Sequence, residues 1–121
     1  MGESIGRMAS EMNVTGWYAP AMNGHRSAFD GRNFEYYSED SVLAGYIGAS
    51  SIAGAQSYGV YAYMKHFALN DCEQDRIGLG VWLNEQAARE VYLKAFQAPV
   101  EVGNGNGVMI AYTRWGAVWS G

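Results

Sequence analysis

Arg32, Lys65 and His66 place a guanidinium, an ammonium and an imidazole in two short segments, Gly31–Asp40 and Lys65–Asp71. Together these groups supply several oriented hydrogen-bond donors, which suits a ligand covered in hydroxyls. Tyr112 adds a phenol at the end of an apolar run. Other reactive chemistry is poorly represented. Neither a Gly-x-Ser-x-Gly elbow nor a metal-ligand spacing is present. Cys72 is the only cysteine, so no intrachain disulfide and no cysteine-based metal site can form. As a nucleophile paired with His66, a lone loop thiol is weak evidence.

The elements that must carry these groups alternate. The spacing of Ile5, Met8, Ala9 and Met12 predicts a first helix, and Trp17 to Met22 reads as a strand. After a loop, Ser38 is expected to cap a second helix whose apolar side is Val42, Leu43, Tyr46, Ile47 and Ile52. Gly59 closes it, and Val60 to Lys65 reads as the second strand. A polar loop from His66 to Leu83 follows. Asn84 caps a third helix built on Ala87, Ala88, Val91, Tyr92, Ala95 and Phe96, which Pro99 and the Asn104–Gly107 turn should stop. Val108 to Tyr112 is the third strand. Strands separated by helices of this length imply right-handed crossovers and a parallel sheet, so the fold class is α/β. Arg26, Arg32, Lys65, His66 and Tyr112 then all finish or follow strand C-termini, the face that carries the active site in an eight-stranded α/β barrel. No Gly-rich phosphate turn follows any strand, which disfavours a nucleotide-binding doubly wound sheet.

At 121 residues, 49% hydrophobic, the chain is one domain at most, with enough apolar content for a folded core. A net charge of -4 and 8 scattered Lys and Arg residues exclude a basic stripe, so neither nucleic acid nor membrane is an expected partner. No apolar run has the length of a membrane span and no export signal opens the chain, which leaves a cytoplasmic and a secreted parent equally open. No cofactor is called for.

The segments Gly31-Arg32-Asn33-Phe34-Glu35-Tyr36-Tyr37-Ser38-Glu39-Asp40 and Lys65-His66-Phe67-Ala68-Leu69-Asn70-Asp71 closely resemble the sugar-binding loops of glycoside hydrolase family 3, the β-glucosidase family. Trp17 to Ser27 is similar to the strand and loop before the first segment, Asn84 to Glu90 to the helix that follows, and Val108 to Gly116, more loosely, to the next strand. Gly24, Ala28, Ser41 and Cys72 depart from the family's usual residues, and none of these changes removes a sugar-contacting group. The Phe-Ala-Leu-Asn-Asp loop is unlike the Pro-Gly loop of the family's N-acetylglucosaminidase branch, so a glucosidase-like parent is preferred.

The resemblance implies that residues 1–121 are a fragment of the family's N-terminal catalytic domain. The fold would be a partial (β/α)8 barrel of about three βα units, with the second α/β domain absent. It implies that Arg32, Lys65, His66 and Tyr112 are substrate-binding residues, the first three through sugar hydroxyls and Tyr112 beside the nucleophile. The nucleophile, an aspartate on a later strand, and the glutamate acid/base lie outside these residues, so no catalytic residue is expected here. The complete parent would hydrolyse β-glucosides with retention, and the isolated chain would be inactive. The alternatives are a non-catalytic sugar-binding fragment and a β-xylosidase-type parent. Expected partners are a β-linked glucoside or oligosaccharide and the rest of the barrel with its second domain, or failing those a second copy of the chain.

Blander readings stand beside these. Arg32 would pair with Glu35, Glu39 or Asp40 as an exposed ion pair, worth about 0 to 1 kcal/mol. Lys65 and His66 would be a solvated cation and a packed imidazole, and His25 and Arg26 braces of the loop. Because hydrolysis needs two carboxyls about 5 to 10 Å apart across one bond, Asp71, Glu73 and Asp75 are read as solvated loop charges. Of the four tryptophans, Trp115 has the best claim to stack on a sugar because it follows a strand end.

Overall fold

The computed structural model describes residues 1–121. Helix α1 spans Gly2–Glu11, and β1 is the short strand Gly16–Trp17. A long loop containing one 3-10 turn, Asn33–Glu35, leads to α2, Ser41–Gln56. Strand β2, Tyr61–Phe67, is the longest strand, and β3 is Gly80–Val81. A helical segment follows in three parts: α3 (Glu85–Ala87), a π-helical turn (Ala88–Tyr92) and α4 (Lys94–Glu101). Strand β4 is Gly107–Ile110, and β5 (Arg114–Trp115) and β6 (Val118–Trp119) close the chain.

The main sheet has the order β1-β2-β4, with both pairings parallel. Helices lie between successive strands, as a partial α/β barrel requires. Trp17 to Met22 is only partly a strand. After Trp17 the chain stays extended beside β2, with a bridge from Ala21 to Lys65 and a hydrogen bond from Lys65 N to Pro20 O of 2.9 Å. A second small sheet, β3-β5-β6, was not expected from the sequence. Its strands are two residues long, too short for an alternating pattern to register.

The core joins Met22, Ala44, Ile52, Ala62, Met64, Ala95 and Phe96, with Trp17, Tyr37 and Phe67 packed against it. Burying side chains the size of Ile52 and the methionines stabilises by about 1.5–3 kcal/mol each. The helix faces differ from the expected ones. In α1 the buried residues are Gly2, Gly6 and Ala9, while Met8 and Met12 are exposed. In α2 they are Ala44, Gly45, Gly48, Ala49, Ser51, Ile52 and Ala55, while Val42, Leu43 and Tyr46 are exposed. Close approach explains this, because a Cβ on Gly2 would stand 2.3 Å from the Ser51 carbonyl oxygen. Small residues let α1 and α4 press against α2, so its larger apolar residues turn outward.

Two caps also differ from expectation. Asp40, not Ser38, caps α2, its carboxylate accepting from the amides of Val42 (2.8 Å) and Leu43 (3.1 Å). Asn84 caps α3 as expected, accepting from Ala87 N at 2.8 Å. Pro99 does not stop the last helix but lies inside α4. Its missing N–H removes only the one backbone bond to the Ala95 carbonyl, and the Pro99 carbonyl, in the last turn of the helix, accepts from Gly105 N at 2.9 Å.

Candidate carbohydrate-binding cleft

Three stretches converge at the C-terminal side of the sheet. The 3-10 turn Asn33–Glu35 sets Arg32 and Glu35 three residues apart, so that the guanidinium Nε donates to the Glu35 carboxylate. Lys65, near the end of β2, donates to the other Glu35 oxygen, with Nζ to Oε2 at 2.9 Å. One carboxylate therefore joins two cations from separate segments. Arg32, Lys65 and Glu35 keep only 24%, 11% and 16% of their side-chain surface exposed, so the pair is not the exposed ion pair of the bland reading. Burial pushes the Glu35 carboxyl up, but hydrogen bonds from Lys65 and Arg32 outweigh it and hold it below its usual range.

His66 is buried next to them. Asn23 clamps its backbone on both sides, accepting from His66 N at 2.8 Å and donating to His66 O at 3.0 Å. Burial first, then the charges of Arg32 and Lys65, lower its pKa from 6.5 to about 4. The imidazole is thus neutral at pH 7, one nitrogen a donor and the other an acceptor. Its Nδ1 has no protein partner.

The loop after β2 is held through Asn70. Tyr36 donates its hydroxyl to Asn70 O at 3.1 Å, and Asn70 Nδ2 donates to Tyr36 Oη at 3.0 Å and to Glu73 Oε1 at 2.9 Å. Burial raises the Tyr36 phenol well above its ordinary value, so it stays protonated. Arg76 pairs with Glu73 at 2.8 Å and lies over the Tyr112 ring, 5.0 Å from its centroid. Glu73 is thus an ion-pair partner, and Asp71 is not a solvated charge either. Burial lifts the Asp71 carboxyl to about 6, against a hydrogen bond from Tyr92 and the charge of Arg26. Asp30 is buried in the neighbouring loop; burial raises its carboxyl, which the amides of Arg32 and Gly31 oppose.

Arg32, Lys65, His66 and Tyr112, the four residues expected to bind sugar, line one cleft of about 330 Å³ together with Tyr18, Asn70 and Arg76. That volume lies at the small end of ligand pockets, which run from about 300 to 1,000 Å³. Trp115 does not line it. His25 and Arg26 are braces, as read: His25 Nε2 meets Asn33 O at 3.0 Å, and Arg26 lies over Tyr92. A larger hollow of about 690 Å³ between α1 and α2 offers Glu3 as its one charged side chain and none of these donors. No group of three or more His, Cys, Asp or Glu side chains is arranged to hold a metal ion. The parts played by four residues escaped sequence reasoning. The Glu35 link to Lys65 and the position of Tyr18 left no local signal, whereas Glu73 and Arg76 stand at the i, i+3 spacing of an ion pair.

Residues 1–118 match the family model described as the glycosyl hydrolase family 3 N terminal domain. The chain belongs to glycoside hydrolase family 3. This family member is 48% identical over 101 residues to beta-glucosidase A of Butyrivibrio fibrisolvens, an alignment covering 84% of the chain and 12% of that protein. It is 39% identical over 114 residues to the thermostable beta-glucosidase B of Acetivibrio thermocellus, covering 94% of the chain and 15% of that protein. Beta-glucosidase 3B of Thermotoga neapolitana, solved in complex with glucose, superposes on it with a TM-score of 0.95 at 41% identity, covering 98% of the chain and 17% of that structure. The family 3 chain thus spans less than a fifth of the length of these relatives. The α/β architecture and parallel sheet expected from the sequence match those of its structural neighbours.

Proposed function

We propose that this chain supplies the sugar-binding loops of a β-glucosidase that hydrolyses β-glucosides with retention. The observation that carries the reading is the meeting of Arg32, Lys65 and His66 at one cleft, with Glu35 tying the two cations together. The glucose bound in the Thermotoga neapolitana relative supports glucose as the sugar. Residues 1–121 would be part of the N-terminal barrel domain, and a second α/β domain would complete the enzyme.

In the complete enzyme an aspartate attacks the anomeric carbon and forms a glycosyl-enzyme while a glutamate protonates the departing oxygen. The same glutamate then takes a proton from the water that releases the sugar. Both carboxyls come from outside these residues. Within the chain, Arg32 and Lys65 donate to ring hydroxyls and hold the sugar in one orientation, since Glu35 fixes both cations before the ligand arrives. Neutral His66 adds one donor or acceptor without adding charge. Tyr112 stands at the side where the reacting carbon would lie. These contacts accelerate the reaction only as far as they strengthen toward the oxocarbenium-like state.

The test is hydrolysis of a chromogenic β-glucoside by the purified chain, alone and mixed with the C-terminal part of a family member, with Arg32→Ala as control. Activity only in the mixture, reduced at least about 100-fold by Arg32→Ala, is expected. Strong hydrolysis by the chain alone would refute the division of labour. A β-xyloside hydrolysed in preference to the glucoside would point to a xylosidase-type parent.

A further inference from the structure

Tyr112 is the most exposed of the four expected sugar-binding residues, with 57% of its surface accessible, yet the chain on either side of it is fixed. Ala111 N donates to Phe67 O at 2.6 Å, and the buried Thr113 hydroxyl donates to Ala68 O at 2.9 Å. Backbone position is therefore set by the end of β2, whereas the exposed ring depends on side-chain contacts for its placement. The contact that holds its face is the Arg76 guanidinium, 5.0 Å from the centroid. Arg76 is aimed in turn by Glu73 Oε2 at 2.8 Å, and Glu73 by Asn70, which exchanges two hydrogen bonds with buried Tyr36. The relay ends in the core of the loop that also carries Arg32.

We propose that Arg76 is a positioning residue for sugar binding, acting through Tyr112: its guanidinium, aimed by the Glu73–Asn70–Tyr36 relay, holds the Tyr112 ring at the wall of the cleft. The inference rests on the reading of the cleft as a glucoside site. It explains why a cation in a sugar cleft spends its charge on a carboxylate and an aromatic face. Cation–π contacts at partly exposed sites are of a strength that corresponds to roughly a three- to tenfold change in affinity when lost.

The experiment uses the chain labelled with carbon-13 in its tyrosine rings, with the Tyr112 resonances assigned through Tyr112→Phe. In the ligand-free chain Arg76→Met moves the Tyr112 ring resonances and leaves those of Tyr58 and Tyr61 in place, Arg76→Lys retains part of the original shift, and Glu73→Gln moves them in the same direction as Arg76→Met. Titration with D-glucose then shows about three- to tenfold weaker binding for Arg76→Met and for Tyr112→Ala, and no further loss in the double variant. Unchanged Tyr112 resonances in Arg76→Met overturn the inference. So do losses that multiply in the double variant, which would make Arg76 an independent sugar contact. Should Arg76→Met fail to fold, Glu73→Gln carries the same comparison. If the unaltered chain binds no glucose, the reading of the cleft fails, and the ring resonances still decide whether Arg76 holds Tyr112.

Discussion

Glu35 does more for this cleft than its own chemistry suggests. A carboxylate shared between a guanidinium and an ammonium neutralises part of their mutual repulsion and holds both cations at the wall of the cleft. Removing it strands two half-buried cations. Exposed pairs contribute about 0–1 kcal/mol and breaking buried ones costs about 3–5 kcal/mol, so Glu35→Ala should lose an intermediate amount, about 1–3 kcal/mol, read as a lower urea midpoint at pH 7. Because the folded-state pKa of Glu35 lies below its unfolded value of 4.5, that stability is complete above the unfolded value and fades as pH falls through the lower one. At pH 3 the difference between Glu35→Ala and the unaltered chain should therefore narrow. Asp71 has the opposite sign. Its folded pKa is raised from 3.8 to about 6, so the folded state holds a proton the unfolded chain has lost, and stability declines as pH rises from about 4 to 6. Asp71→Asn is expected to raise the urea midpoint at pH 7 and to change little at pH 4. An unchanged midpoint at pH 7 would show that the buried carboxyl is better compensated than its surroundings indicate.

At the scale of elements, α2 organises the rest. It lies against α1, α4 and β2, and it is apolar on nearly every side. Its neighbours approach so closely that a Cβ on Gly54 would stand 2.6 Å from the backbone nitrogen of Glu3. Backbone atoms cannot swing aside as a side chain can. Gly54→Leu should therefore push α1 away and destabilise by about 1–3 kcal/mol, measured by thermal unfolding, despite leucine's better helix propensity. Asp40 holds the other end. Asp40→Ala should cost about 1 kcal/mol through the loss of its two amide contacts, whereas Ser38→Ala, whose hydroxyl accepts from Asp40 N at 3.0 Å, should cost less. Serine and aspartate are both good N-cap residues by type. The choice between them depends on where the preceding loop, bonded through Ala21 and Tyr36, delivers the chain.

For the whole molecule the open question is the edge of the main sheet. Strands β1 and β4 each pair on one side only, and β4 presents the exposed Val108 and Ile110. An unpaired apolar strand is a template for another strand. The purified chain is expected to self-associate, with sedimentation velocity showing species larger than 13.2 kDa, and Val108→Lys is expected to shift it toward monomer. In a complete barrel the next strand would occupy the same edge, so mixing with the C-terminal part of a family member should suppress self-association as activity appears.

The amino-acid sequence by itself determined the alternation of helices and strands, the α/β class, the family, and the identity of four of the residues that share the cleft. Those properties are local or near-local. Periodicity marks the elements, Asn84 marks a helix start, and two short motifs carry the donors. Only the tertiary structure decided which faces are buried, because close packing around α2 selects glycine, alanine and serine over the larger apolar residues that periodicity favours. Only it showed Pro99 inside a helix, where its carbonyl, in the last turn, accepts from the Gly105 amide. It also joined Glu35 to Lys65 and Arg76 to Tyr112, pairs separated by 30 and 36 positions whose contact depends on strand register and loop path. No spacing rule spans such distances, since the geometry of a long loop is fixed by what it packs against and not by the residues within it.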